Sequence, residues 1–205
     1  MFTVDKKSLA LHFLILFLVC SFTTIIFALT ANHMKKVEAA FENYENLLYM
    51  KLKSGVVVIE LMPNVAPNHV ARIKKLSRDG FYNGLTFHRV IEGFMAQTGD
   101  PKGDGTGGSG TKLKAEFSDV HHIRGVVSMA RAQSEDSADS QFFIVLKDST
   151  FLDKKYTVFG RVIAGMEFVD EIKKGDPTQN GSVTNPDKII SLAVASDVEK
   201  HKGGH

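Results

Sequence analysis

An arginine stands among apolar residues in this chain, where a guanidinium group needs a partner. The stretch that begins at Phe87 reads FHRVIEGFMAQTGD. On a β-strand, successive side chains point to opposite faces, so Arg89 is predicted to share a face with Phe87 and Ile91. A buried guanidinium is costly unless it is paired or hydrogen-bonded. Arg89 is therefore either half of an ion pair, with Glu60 or Glu92 as its candidate partner, or a group held ready for a ligand.

A glycine-rich loop follows this stretch. Residues 103–110 read GDGTGGSG and contain the G-x-G-x-x-G spacing at Gly103, Gly105 and Gly108. Dinucleotide binding requires a helix immediately after such a loop, within a βαβ unit. The residues at 111–117 do not show a helical pattern, and no Lys-Ser/Thr pair completes a phosphate loop. We interpret the loop as a long turn whose backbone passes close to another group, and no nucleotide cofactor is predicted.

The remaining polar candidates are histidines and one asparagine. The His121-His122 pair and the tail residues His201 and His205 lack the spacing to cysteines or carboxylates that a metal site requires. No metal site is therefore predicted. The Asn-Gly-Ser sequence at 180–182 matches a glycosylation acceptor. Asn-Gly is first of all a turn signal, and a turn is the simpler interpretation.

The composition is that of a folded protein with one unusual segment. The chain has 205 residues, 43% of them apolar, and a formal net charge of +2. This length fits one domain, and the balanced charge gives no case for nucleic-acid binding, which needs a clustered basic face. Cys20 is the only cysteine, so no intrachain disulfide can form. A monomer is expected.

The unusual segment is Leu9–Ala31, which carries no formally charged side chain. As a helix it would be roughly 35 Å long, against about 30 Å of bilayer hydrocarbon. Residues 1–31 are predicted to be a signal peptide or a membrane anchor, with a buried soluble helix as the remaining alternative. If it is not cleaved, the chain contacts the membrane through residues 9–31. Both main interpretations place the rest of the chain in the periplasm or on the extracytoplasmic side of the membrane.

The rest of the chain combines many short strands with two helices. The predicted divisions are a linker or juxtamembrane helix at 32–46, a folded domain at 47–198 and a polar tail at 199–205. Pro67 and Gly80 bracket one predicted helix, and the second is predicted at 166–174. Besides the stretch at 87–91, strands are predicted at 47–53, 56–62, 125–130, 141–146, 156–162 and 188–195. This order lacks the β-α alternation of parallel sheets and favours a mainly β fold, a closed antiparallel β-barrel with helices over its two ends.

Six blocks of sequence, in order, closely resemble the cyclophilin family of peptidyl-prolyl cis-trans isomerases, and its bacterial members in particular. They are FHRVIEGFMAQTGD at 87–100, GTGG at 105–108, GVVSMARA at 125–132, SQFFI at 140–144, FLD at 151–153 and VFGRV at 158–162. The resemblance covers about Leu47 to Ala195. It implies a closed eight-stranded antiparallel barrel capped by two α-helices, no cofactor, and proline-containing polypeptides as clients.

The resemblance also implies roles for individual positions. Arg89 is similar to the catalytic arginine of the family, and Gln97 and Phe94 are grouped with it. For substrate binding, the resemblance implies a proline pocket in which Met95, Phe143 and Leu152 lie beside Phe94. It places His88 next to Arg89, Gln141 beside Gln97, and Gly105 at the rim. The other implied substrate-binding positions are Ala130, Arg131 and Ala132 along the bound peptide, and Phe151 and Tyr156.

Three positions differ from the best-studied eukaryotic members. Phe151 stands where those members carry Trp, Tyr156 where they carry His, and Arg131 where they carry Asn. Phe151 lacks an indole N–H donor, so only weak cyclosporin binding is expected. Arg131 is expected to act through its backbone, and its substitution should matter little.

The implied chemistry needs no nucleophile, metal or proton relay. Rotation about a peptide bond is opposed by a barrier of ~18–20 kcal/mol, because the nitrogen lone pair is delocalised into the carbonyl. A catalyst must bind the twisted amide more tightly than either planar form. A guanidinium that Gln97 holds beside an apolar pocket can donate a hydrogen bond to the pyramidal proline nitrogen of that state. The alternatives are a module that binds proline peptides without turnover and a membrane-tethered chaperone.

Overall fold

The computed structural model describes residues 44–202. The predicted signal peptide or membrane anchor at 1–31, with its hydrophobic helix at 9–31, lies outside these residues, as do most of the predicted linker and the last three residues of the tail. Within 44–202, no helix is long and apolar enough to span a bilayer.

Eight antiparallel strands form a single sheet, as predicted. They are β1 (Leu47–Lys51), β2 (Val56–Leu61), β3 (Arg89–Ile91), β4 (Met95–Thr98), β5 (Val126–Met129), β6 (Phe142–Val145), β7 (Val158–Ala164) and β8 (Ser191–Val194). Their order across the sheet is β3-β4-β6-β5-β7-β2-β1-β8. The predicted closed β-barrel is not observed, because β3 and β8 are the two edge strands of the sheet and are not paired with each other. The segments that precede these strands do meet, since Phe87 N–H donates to Asp187 O at 2.9 Å.

Helix α1 (Pro67–Arg78) forms where the sequence predicts it. Proline suits the first helical turn, where its missing N–H has no intrahelical partner. Glu116 from a distant loop accepts the N–H groups of Asn68 and His69, both at 3.1 Å, and so satisfies two of the free donors of that turn. Gly80, with φ +70°, takes the left-handed conformation that ends the helix.

The other helices depart from the sequence prediction. Helix α2 (Met166–Asp170) ends four residues before the predicted end at residue 174. Beyond the helix, the N–H of Lys173 donates to the carboxylate of Asp187 at 2.8 Å. Helix α3 (Ala195–Lys202) replaces the end of the last predicted strand and most of the predicted polar tail. Its Asp197 pairs with Arg78 of α1 at 2.9 Å, a contact over 119 positions that local pattern does not reveal.

The central strands are buried on both faces. Val90, Ala96 and Ile144 are paired across β3, β4 and β6, and they belong to the main core. Their neighbours along the same strands point to the other face. That face carries a second apolar group, the site-side cluster, which consists of Met95, Val126, Phe143, Val145, Leu152 and Val158. Burial on both faces explains the continuous apolar run FFIVL at 142–146.

The face predicted for Arg89 needs one correction. Strand β3 begins at Arg89, so the alternation does not extend back to Phe87. Phe87 lies in the main core together with Val90, whereas Arg89 and Ile91 point to the face of the site-side cluster.

Candidate active site

Three neighbouring strands place Arg89, Gln97 and Phe143 in one row. Arg89 on β3 is the direct partner of Gln97 on β4, and Gln97 is the direct partner of Phe143 on β6. Direct partners in an antiparallel pair point to the same face. The row lines an open cavity of about 510 Å³. The residues that line this cavity are His88, Arg89, Phe94, Met95, Gln97, Gly103, Asp104, Gly105, Thr106, Ala130, Arg131, Phe143, Leu152, Tyr156, Gln179, Asn180 and Ser182.

Neutral groups hold the guanidinium of Arg89. Its Nη1 donates to Gln97 Oε1 at 3.2 Å, while Nε and Nη2 donate to the backbone oxygen and Oδ1 of Asn180 at 2.9 and 2.8 Å. Glu60 is paired with Arg161 instead, at 2.6 Å, and no carboxylate among residues 44–202 forms an ion pair with Arg89. Partial burial lowers the pKa of Arg89, because desolvation disfavours the charged form. The site therefore presents a fixed positive charge that no described carboxylate neutralises.

Gln97 is in turn held by Gln141. Gln97 Nε2 donates to Gln141 Oε1 at 2.9 Å, and Gln141 Nε2 donates to the carbonyls of Gly105 and Gly107 at 3.0 and 2.8 Å. An amide oxygen can only accept and an amide nitrogen can only donate. The two loop carbonyls therefore set the orientation of Gln141, which sets that of Gln97, so that Gln97 presents its oxygen to Arg89.

The glycine-rich loop is held by a buried carboxylate. Asp100 accepts the N–H groups of Lys102, Asp104 and Gly105 at 2.8, 3.2 and 2.6 Å. Burial by itself would raise the pKa of Asp100, but the backbone N–H groups of Lys102, Gly105 and Gly107 hold it below its usual range. A Cβ at Gly107 would lie 2.0 Å from Asp100 Oδ1, so the backbone passes close to another group, as the sequence predicts. No helix lies between this loop and β5.

Apolar side chains form the other half of the cavity. Met95, Phe143 and Leu152 are buried there. Phe143 meets the edge of Tyr156 at a centroid distance of 5.9 Å. Phe151 does not line the cavity: it is 63% exposed, and its ring lies 5.5 Å from that of Phe94. A pocket of this kind accepts a compact apolar ring beside a cation.

The side chain of Arg131 is occupied by its surroundings. Its Nε donates to Lys155 O at 3.0 Å, and its Nη1 donates to the carbonyls of Ala132 and Gln133 at 3.0 and 2.9 Å. Its guanidinium carbon lies 4.8 Å from the centre of the Tyr156 ring, within the range of a cation–π contact. The sequence predicts a contribution of Arg131 through its backbone, and the structure adds that its side chain packs against Tyr156.

A buried histidine packs against the apolar half of the cavity. His122 stacks on Phe143 at a centroid distance of 6.2 Å, and its ring nitrogens contact Asp153 Oδ1 at 2.9 Å and Ser128 Oγ at 3.0 Å. Burial would raise the pKa of Asp153, but the hydrogen bonds from His121 and His122 hold it at about 2. The carboxylate thus stays ionised and fixes the turn that carries Leu152.

His88 is a buried, titratable residue in the wall of the cavity. Neither of its ring nitrogens makes a hydrogen bond of ordinary geometry within residues 44–202. Burial lowers the pKa of His88 below its ordinary value of 6.5, although the nearby carboxylate of Asp100 acts in the opposite direction. His88 is therefore neutral at pH 7, and Arg89 remains the cation of this wall.

This lowered pKa predicts how His88 responds to acid. In the folded protein, His88 should titrate with a midpoint below its ordinary value of 6.5. Because the unfolded chain then binds more protons than the folded one, the stability that His88 contributes is present above pH 6.5 and is lost as the pH falls below it. An NMR titration of the ring protons, assigned with His88→Gln, measures the midpoint. A midpoint at or above 6.5 would contradict the prediction.

The structure brings most of the predicted site residues together. All of them line the cavity except Ala132 and Gln141, which line an adjoining cavity, and Phe151, which stands outside both. Asn180 is not among the predicted site residues, since its sequence context predicts a turn and matches a glycosylation acceptor. The turn is real, since Asn180 has φ +54°, but the approach of this turn to Arg89 is a long-range feature. Among residues 44–202, no cluster of three or more potential ligands could hold a metal ion.

The site thus joins a fixed cation to an apolar pocket on one face of an antiparallel sheet. Residues 47–194 match the family described as cyclophilin type peptidyl-prolyl cis-trans isomerase/CLD. The chain belongs to this family, whose members are peptidyl-prolyl cis-trans isomerases, and it is an enzyme of that kind.

Several known proteins are similar to this chain. A probable peptidyl-prolyl cis-trans isomerase of Brucella suis biovar 1 (strain 1330) is 53% identical over 167 residues, which cover 76% of this chain and 85% of that protein. Peptidyl-prolyl cis-trans isomerase B of Bacillus subtilis (strain 168) is 46% identical over 131 residues, 62% of this chain and 91% of that protein. The crystal structure of the cyclophilin AquaCyp293 from Hirschia baltica has a TM-score of 0.68 and 30% identity, with 76% of each chain covered. A Cryptosporidium parvum cyclophilin crystallised in the presence of the dipeptide Ala-Pro has a TM-score of 0.66 and 27% identity, and the match covers 72% of this chain and 98% of that one.

Proposed function

We propose that this isomerase works by arginine-assisted stabilisation of the twisted X–Pro amide. The proline ring occupies the apolar half of the cavity beside Phe143. As the peptide bond rotates, the proline nitrogen becomes pyramidal and accepts a hydrogen bond from Arg89. The observation that carries the proposal is the guanidinium held by Gln97 and Asn180 without a described counter-ion, next to an apolar pocket.

The contacts of Arg89 suit this role on energetic grounds. A donor that is already held in place needs no reorganisation when the twisted amide forms, and it acts most strongly where water is displaced. A carboxylate partner would have neutralised the cation, whereas amide and backbone oxygens orient it and leave its charge intact. The proline nitrogen of a planar amide is a poor acceptor, because its lone pair is delocalised. The hydrogen bond is therefore stronger in the transition state than in the ground state, as catalysis requires.

The experiment is cis-trans exchange of a short X–Pro peptide, measured by NMR with and without the protein. Acceleration of the exchange by the unaltered protein that is lost in Arg89→Ala supports the proposal, and equal acceleration by both proteins contradicts it. Peptide binding without acceleration supports the alternative of a recognition module, and the proposal is then rejected. The intact Arg89 and Gln97 favour turnover over binding alone.

We also propose that the domain acts on the extracytoplasmic side of a membrane, on proline-containing polypeptides that are folding there. The support is the apolar stretch Leu9–Ala31. Cell fractionation with sequencing of the mature N-terminus tests this. A chain that starts near Asn32 indicates a cleaved signal, and an intact chain in the membrane fraction indicates an anchor. An intact chain in the soluble cytoplasmic fraction would contradict export.

The exposure of Phe151 leads to a prediction about cyclosporin. Phe151→Trp should strengthen cyclosporin binding, because an indole at this exposed rim position adds apolar contact area and an N–H donor. A gain of about tenfold corresponds to one additional hydrogen bond of ~1.4 kcal/mol. Titration calorimetry of both proteins measures the change. Equal affinities would mean that the rim is arranged differently around the ligand.

A further inference from the structure

The segment 175–182, here called the arginine loop, is hydrogen-bonded to β3 through its backbone. Val90 N–H donates to Gly181 O at 2.8 Å, and Gly175 N–H donates to Val90 O at 2.9 Å. Just beyond the loop, Val183 N–H donates to His88 O at 3.1 Å. The backbone on both sides of Arg89 is therefore hydrogen-bonded to this loop or to the residue that follows it.

Two glycines permit this close approach. A Cβ at Gly181 would lie 2.4 Å from Ile91 Cγ1, and one at Gly175 would lie 1.8 Å from Gly181 O. Real Cβ atoms do not make contacts this short. The loop is also closed internally, since Asp176 accepts the N–H and the hydroxyl of Thr178 at 2.8 and 2.6 Å. The loop thus has a defined position relative to Arg89.

In this position, Asn180 accepts two hydrogen bonds from one edge of the Arg89 guanidinium. Its backbone oxygen accepts from Arg89 Nε at 2.9 Å and its Oδ1 accepts from Arg89 Nη2 at 2.8 Å. Two acceptors from one residue on one edge fix the plane of the group as well as its location. The left-handed conformation of Asn180, with φ +54°, is one that asparagine adopts more readily than most residues.

A count of donors shows what this arrangement leaves available. A guanidinium has five N–H groups. Asn180 takes one on Nε and one on Nη2, and Gln97 takes one on Nη1. Two N–H groups, one on each terminal nitrogen, are left without a partner among residues 44–202.

We infer that Asn180 is a positioning residue of this isomerase, which acts on the amide through Arg89. It fixes the guanidinium plane so that the two remaining N–H groups face the proline nitrogen of the twisted amide. This inference rests on the proposed arginine mechanism. It assigns a role to the Asn-Gly turn that the glycosylation and simple-turn interpretations do not contain.

The test compares Asn180→Gly with Asn185→Gly. Glycine adopts the left-handed backbone freely, so Asn180→Gly removes Oδ1 without strain and keeps the backbone acceptor. Asn185 is a matched control, because it also has a left-handed backbone, with φ +52°, and lies outside the cavity. We expect kcat to fall about fivefold in Asn180→Gly, with the peptide dissociation constant and the melting temperature close to those of the control. That factor is typical of the loss of one hydrogen bond.

A second readout follows the guanidinium directly. The Nη2–H resonances of Arg89, assigned by their loss in Arg89→Ala, should exchange with water faster in Asn180→Gly than in Asn185→Gly, because Asn180 Oδ1 accepts from Nη2. Equal kcat values in the two variants, or a change confined to peptide affinity, would overturn the inference. If the unaltered protein does not accelerate isomerisation, the proposed mechanism fails, whereas the exchange rate still reports whether Asn180 holds Arg89.

Discussion

Arg89→Ala should lower kcat/KM for X–Pro isomerisation by about 100- to 1,000-fold, the range seen when a preorganised donor to a transition state is removed. The fold should survive, because Arg89 lies on the cavity side of the sheet and is only partly buried. Its former partners, Gln97 and Asn180, can turn to water instead. Peptide affinity should change much less than kcat, since the hydrogen bond forms mainly in the twisted state.

Two control variants distinguish catalysis from structure. Arg161→Ala removes another arginine, one that lies outside the cavity and pairs with Glu60 on a neighbouring strand. An exposed pair contributes only about 0–1 kcal/mol, so activity and stability should both stay close to normal. Arg89→Lys keeps the charge but lacks the planar fork that Asn180 and Gln97 hold, and most of the activity should still be lost. If Arg89→Ala unfolds the protein instead, the arginine is structural and the mechanism is wrong.

Phe143→Ala should weaken both the fold and the binding of proline peptides. Truncation of a buried phenylalanine costs about 3–5 kcal/mol of unfolding free energy, since it removes apolar contacts and leaves a cavity. Phe143 is 5% exposed and belongs to the site-side cluster. Its ring also forms part of the pocket that would hold the proline, so the milder Phe143→Leu should raise the peptide dissociation constant about tenfold.

Phe142 provides a matched control on the same strand. It is the preceding residue of β6, it is 1% exposed, and it points into the main core. Phe142→Leu should therefore reduce the free energy of unfolding by about as much as Phe143→Leu, roughly 1 kcal/mol, without changing peptide affinity. Denaturant unfolding and calorimetric titration of both variants measure the two effects. Equal losses of affinity would mean that the pocket responds to general loosening of the sheet rather than to Phe143.

Much of the fold could be predicted from local signals. Pro67 and Gly80 mark the ends of α1 because their backbone preferences act within one turn of the helix. The Ser54-Gly55 turn separates two strands whose antiparallel pairing follows from their short connection. Helix α3 could not be predicted this way, since its contact with Arg78 joins distant parts of the chain.

The candidate site likewise contains residues that sequence motifs identify and one residue whose role depends on a long-range contact. The residue types of the site, including Arg89, Gln97 and Phe143, were identified through their resemblance to a family, which records long-range structure in local motifs. Asn180 lies outside those motifs. Its local sequence predicts a turn and matches a glycosylation acceptor, and neither pattern indicates the contact with Arg89.

The short strands, the capped helix and the motifs of a known enzyme family are predictable from the amino-acid sequence, because they depend on neighbouring residues. Three other features emerge only in the folded chain: the cross-strand row from Arg89 to Phe143, the two faces of β6, and the hydrogen bonds from the guanidinium of Arg89 to Asn180. Each of these depends on strand register or on the approach of a distant loop. A one-residue slip in register would exchange the core face and the site face, and no local pattern encodes where a loop 91 positions away will pack.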